Sequence, residues 1–155
     1  MMPALFYHLT RSPLEAVAPM LLEKALATGW RVAVRGTDAD RLNWLDQRLW
    51  LGAEDGFLPH GLAGGPHDAD QPVLLTLGVD RPNGANCVMS VDGAVVTAEE
   101  VQSLDRVWVM FDGNDAAALD HARGQWRDLA GAGVAAQYWA EEDGRWQKKA
   151  ESASG

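Results

Sequence analysis

The sequence holds a single cysteine, Cys87, so no internal disulfide can form and the fold must stand on its apolar core. No charged segment followed by an apolar one opens the chain, which together with the lone thiol points to a reducing cytoplasm. No apolar run approaches the ~20 residues that a membrane span requires. Positive charge is scarce: 13 Lys and Arg stand against 22 Asp and Glu, for a formal charge of -9 and a pI near 4.7. Nucleic-acid affinity rests largely on cations that neutralise phosphates, so direct binding of nucleic acid is not expected. Phosphate signatures are missing as well. Neither G-x-x-x-x-G-K-[ST] nor G-x-G-x-x-G occurs, and the turn after the first apolar strand is "TRSP", with no glycine to let a phosphate approach the backbone. No G-x-S-x-G elbow marks a nucleophilic serine.

What is present is an apolar content of 47% in 155 residues, enough to bury one core without staples. "ALFYHL" (Ala4-Leu9) reads as a buried strand, and Pro13-Thr28 carries Leu14, Val17, Met20, Leu21, Ala25 and Leu26 at helical spacing before Gly29 closes it. "WRVAVRG" is a second strand, followed by a helix with Leu42, Leu45 and Leu49 inward and Thr37 suited to its N-cap. "QPVLLTLG", "NCVMSVDG", "DRVWVMFDG" and "VAAQYWAEE" supply further strands, with helices at "TAEEVQSL" and at "NDAAALDHARGQWRDLAGAG", which ends at Gly131 or Gly133. The continuous apolar run of "PVLLTL" marks burial on both faces, as in parallel sheets. The expectation is α/β: a single three-layer domain over residues 1–146 with a mainly parallel sheet, and a disordered C-terminal tail over 147–155.

Between these elements lies "FLPHGLAGGP", too apolar for a solvated loop and too rich in Pro and Gly for a helix or central strand. Its glycines follow a Pro-containing loop and open no helix, so they make no phosphate cradle. His60, His67, Asp68 and Asp70 are of metal-ligating types, although their spacing fits no compact motif. One reading is therefore a small metal-dependent hydrolase using the His60 to Asp70 loop. The other is an interaction surface. The chain has seven Trp, and Trp50, Phe57, Leu58, Pro59 and Leu62 follow one another where backbone amides resist burial. Cys87 lies inside an apolar strand, where an inert thiol is the default, and His8 and His121 stand alone as structural residues.

The opening "FYHL", the helix end "LDQRLW", "FLPHGLAG" with its following "QPVLL", the strand "VWVMFDG" and the helix "HARGQWRDLAGAG" occur in an order and at separations that resemble the chi-subunit family of bacterial DNA polymerase III. The likeness runs from about residue 4 to residue 146, and F-x-P-H-x-L-A-G preceded by L-W is its most specific part. The resemblance implies a nucleotide-binding-like fold without a phosphate site, no cofactor and no enzymatic activity. It implies an adaptor between the psi subunit of the clamp loader and the acidic C-terminal tail of the single-stranded DNA-binding protein. For psi it points to Trp50, Phe57, Leu58, Pro59 and Leu62, and for the tail to Phe111, Arg123, Trp126 and Arg127. Helical spacing independently places Arg123, Trp126 and Arg127 on one face, a cation-aromatic-cation stripe in a chain poor in cations. An adaptor that reaches DNA only through its coating protein need not be basic.

Overall fold

Alternate residues of the first strand face opposite sides of a sheet, and the two sides acquire separate cores. The structure of the protein is a computed structural model that describes residues 3–51, 59–142 and 144–152. In chain order its elements are β1 (Ala4–Leu9), α1 (Leu14–Ala27), β2 (Val32–Arg35), α2 (Ala39–Leu51), β3 (Gly61–Leu62), β4 (Val73–Thr76), β5 (Cys87–Ser90), α3 (Ala98–Ser103), β6 (Arg106–Asp112), α4 (Ala116–Gly131), β7 (Ala136–Glu142) and β8 (Arg145–Ser152). The strands form one sheet in the order β3-β4-β2-β5-β6-β1-β7-β8, parallel throughout except for the antiparallel β7/β8 pair. Leu5 and Leu9 of β1 join Val34, Leu75, Met89 and Trp108 under α1 and α2, whereas Phe6 joins Val88, Val107, Val109 and Phe111 under α3 and α4. This is the expected three-layer α/β arrangement. Cys87 is buried in the first of these cores, and its burial pushes the thiol up to about 12, which leaves it protonated and inert.

Local chemistry sets the helix ends. Gly29 takes a φ of +92° and the Trp30 amide turns back to Ala25 O, so α1 closes as the sequence indicates. Gly133, with a φ of +78°, closes α4 in the same way through Val134 N to Leu129 O. For α2 the expected cap is corrected by one residue: Asp38 accepts from Asp40 N at 3.0 Å, while the Thr37 hydroxyl donates to Asp92 O across the sheet. The tail is corrected too. From Arg145 to Ser152 the chain forms β8, which covers residues 147–152, while residues 153–155 lie outside the described ones. A two-residue connection separates the paired Glu142 and Arg145, with Gly144 at a φ of +75°. The returning strand packs Trp146 on Tyr7, with ring centroids 4.9 Å apart.

Arg35 at the end of β2 is 2% exposed and carries a full charge into the protein. Its guanidinium donates to both oxygens of Glu100 at 2.9 and 2.6 Å and also to Val95 O and Val79 O. Glu100 stands at the third position of α3 in a capping box, accepting from Thr97 N while its own amide donates to the Thr97 hydroxyl. Burial alone would raise the Glu100 carboxyl, but the Arg35 hydrogen bonds and the Thr97 amide outweigh it and hold the group below its ordinary value. A carboxyl whose folded pKa is depressed stabilises the protein above its unfolded value, and that contribution fades as pH falls through the folded one.

Two outcomes are expected. Wild-type Tm should fall as pH drops below about 4.5, whereas Glu100→Gln, which leaves the Arg35 charge buried without its partner, should cost about 3 kcal/mol at neutral pH and flatten the acid limb. Thermal denaturation across pH 3 to 7 measures both. Trp146→Ala should cost about 1–2 kcal/mol, as expected for losing a half-buried ring contact; an unchanged Tm would return residues 145–152 to a loose tail.

Candidate functional site

Helix α4 is fixed over the second core before any of its surface groups comes into play. The Asp115 side chain accepts from Ala117 N and Ala118 N and so caps the helix. Ala122, Gln125 and Leu129 face the sheet. On the flank toward α3, Gln125 accepts from Val96 N at 3.2 Å and donates to Ala94 O at 3.3 Å, and the His121 ring meets Gly93 O at 2.7 Å. The opposite flank, toward β7, carries Trp126 and Arg123, and Arg127 follows one turn after Arg123. The Trp126 ring stands edge-on to Phe6 at 5.3 Å and to Tyr138 at 6.1 Å, leaving it half-buried. Arg123 and Arg127 are exposed, and among the described residues neither is held in an ion pair.

Beneath this flank lies an aromatic layer that the sequence indicates only in part. Phe111, expected as a contact residue, is 6% exposed and packs under His8 and Tyr138 at centroid distances of 5.2 and 5.8 Å. It shapes the floor from below. His8, expected to be merely structural, shares a hydrogen bond between its Nδ1 and the Tyr138 hydroxyl. The Gly113 backbone lies so close that a Cβ there would fall 1.9 Å from the His8 ring, so any larger residue would have to displace the ring. Burial and then the Arg123 charge hold the His8 imidazole below its ordinary value, with Asp112 opposing them. Burial raises the Tyr138 hydroxyl, against the pull of Arg123. Arg123 is thus felt by both polar groups of the floor. His8 and Tyr138 escape the sequence because their pairing depends on β1 and β7 lying side by side, although the two residues stand 130 positions apart in the chain.

The second expected surface is described in part. Trp50, in the last turn of α2, is 49% exposed and its ring lies 4.3 Å from that of His60. Leu62, on the edge strand β3, is 37% exposed, and Pro59 is half-buried. Phe57 and Leu58 lie outside the described residues. The same region separates the metal-ligating types considered above. His60 is buried with its Nε2 3.1 Å from Asp46 O and 3.2 Å from Asp46 Oδ1. Asp68 accepts from Gly64 N and Gly65 N, and His67 and Asp70 sit in solvent 4.0 Å apart. Among the described residues no three His, Cys, Asp or Glu side chains gather as a metal site.

A cleft of about 900 Å³ opens at the carboxyl ends of β1 and β6, where the chain leaves toward α1 on one face and α4 on the other. Parallel α/β sheets bind ligands at such switch points. Here Asp115 already fills the α4 N-terminus with a carboxylate, and Arg41 is engaged by Asp92 at 3.2 Å and by the Trp44 ring at 4.5 Å. Glu15, Asp38 and Asp112 add further negative charge to the lining. The cleft shares Phe111 with the α4 flank but does not include Arg123, Trp126 or Arg127.

Comparison with known proteins matches residues 1–137 to the family model described as DNA polymerase III chi subunit, HolC. The chain is 42% identical over 75 residues to "DNA polymerase III subunit chi" of Pseudomonas aeruginosa, covering 48% of this chain and 51% of that protein. It is 26% identical over 85 residues to "Probable DNA polymerase III subunit chi" of Rickettsia prowazekii, covering 55% of this chain and 52% of the relative. The chain thus spans about half the length of these curated relatives. The family match takes in both expected surfaces and ends inside β7, before β8 begins. With most of its length matched to that model, the chain belongs to the DNA polymerase III chi subunit family.

Proposed function

We propose that the protein is a non-catalytic accessory subunit of the DNA polymerase III assembly, working in the cytoplasm as an adaptor with two docking surfaces. One receives the acidic C-terminal tail of the single-stranded DNA-binding protein; the other holds psi or another clamp-loader protein. The observation that carries this reading is the α4 flank, where Arg123 and Arg127 bracket the half-buried Trp126 and neither guanidinium is held in an ion pair among the described residues. A guanidinium can take a terminal carboxylate through two parallel hydrogen bonds, and Trp126 above the Phe6 and Tyr138 rings offers apolar contact to the residue before it. With a net charge of -9 the domain as a whole repels an acidic peptide, so attraction must come from this local arrangement. For the clamp-loader partner, Trp50 and Leu62 present large apolar groups at the β3 edge, the kind of anchor that dominates interfaces.

The first surface is tested by fluorescence polarisation with a peptide copying the C-terminus of the host's single-stranded DNA-binding protein. Arg123→Ala should weaken binding by about 2 kcal/mol, and an amidated peptide should lose a similar amount. Equal affinity of wild type, Arg123→Ala and Arg127→Ala would remove the site. For the second surface, Trp50→Ala should weaken association with psi or another clamp-loader protein by ~2 kcal/mol or more in titration calorimetry. A matched loss of Tm without loss of binding would assign Trp50 to the fold instead.

A further inference from the structure

The family match stops at residue 137, yet the sheet continues. β8 adds a strand about 4.8 Å beyond β7, past the flank of α4 that carries Arg123 and Arg127. The facing of its side chains follows from its packing. Tyr138 packs with the core beneath α4, whereas Trp139 and Trp146 pack with the core on the other side. Alternation then turns Ala140 and Glu142 of β7 toward the α4 side, together with Arg145 and Gln147 of β8. The register shift between Tyr138 and Trp139 leaves Lys149 as the extra residue of β8, and its contact with Glu142 places it on that same side. Arg145, Gln147 and Lys149 are all exposed.

Four of the 13 basic residues of an acidic chain therefore border one strip of surface. Arg123 and Arg127 stand on its α4 side, and Arg145 and Lys149 on its β8 side. Tyr138 and Ala140 form the floor between them. We propose that β8 is a second cationic wall of the peptide site, receiving the carboxylates that lie upstream in an acidic tail whose C-terminal carboxylate is held by α4. This rests on the reading of the α4 flank given above. The occupant is an extended acidic peptide, on three grounds: the strip has cations on both sides, its floor joins the Trp126 and Tyr138 rings, and the β7 carboxylate that faces it, Glu142, is already engaged by Lys149. That exposed pair is weak enough for a peptide carboxylate to displace Glu142.

The test uses the full chain and two synthetic peptides, one copying the whole acidic C-terminal segment of the host's single-stranded DNA-binding protein and one cut to its last few residues. A variant carrying both Arg145→Ala and Lys149→Ala should weaken the long peptide about fivefold at low salt and leave the short one unchanged. Arg123→Ala should weaken both. Glu142→Gln should tighten the long peptide, and Lys24→Ala, which removes a cation from the α1 side of the sheet, should move neither. If the double variant spares the long peptide, or weakens long and short alike, the second wall is overturned while the Arg123 dependence still upholds the α4 site. Should Arg123→Ala leave both peptides unaffected, the α4 reading fails and the two-walled strip fails with it. A single-stranded oligonucleotide bound with the same dependence on Arg145 and Lys149 would show a general polyanion surface and overturn the assignment to a peptide.

Discussion

The placement of α4 depends on a charge buried at the end of β2. The Arg35 guanidinium keeps its charge when buried and so needs Glu100 as its counter-ion, and its further hydrogen bonds tie down the loops at Val79 and Val95. Residues 94–96 are the same ones to which Gln125 is hydrogen-bonded. The order of dependence therefore runs from Arg35 through the Val95 loop to Gln125, and from Gln125 around the helix to Trp126 and the two arginines on its outer flank. A helix held only by Ala122 and Leu129 could slide along the sheet; the paired amide contacts of Gln125 fix its position.

This dependence explains which parts of the molecule were legible in the sequence. Apolar runs and their spacing reveal β1, α1, β4 and α4, because burial leaves a periodic record in residue type. Glycines reveal where α1 and α4 stop, because the left-handed turn after a helix favours them. β8 is different: "GRWQKKAES" is polar at most positions, since the strand lies at the sheet edge and is exposed on both faces except at Trp146 and Ser152. Its signal lay elsewhere, in the sequence Asp-Gly just ahead of it, a dipeptide type favoured between hairpin strands. The capping of α2 by Asp38 in place of Thr37 is a choice between adjacent residues with equal cap chemistry, settled by the reach of Thr37 across to Asp92.

For the candidate site, the sequence shows the helix half and hides the floor. Arg123, Trp126 and Arg127 share a face by arithmetic alone. That Phe111 belongs beneath, with His8 and Tyr138 between it and the arginines, depends on which strands are neighbours, and the order β6-β1-β7 interleaves the two ends of the chain. The metal reading of the loop fails on the same kind of information. His60 turns inward to Asp46 and Trp50, while Asp68 is used by the backbone of Gly64 and Gly65.

The two ends of the sheet also bear on how the protein behaves when crowded. Strand edges expose unused amides and carbonyls that invite other chains to add on, and a long flat edge is a seed for aggregates. At one end the exposed strand is β3, only two residues long; at the other, β8 carries adjacent lysines and an irregular register against β7. Among the described residues, a second sheet could follow β3 for only two residues, and along β8 the lysines and the register shift work against continuous pairing. Copies gathered at high local density can then sit side by side without fusing into fibres, and their peptide-sized surfaces stay open to the molecules they are proposed to hold.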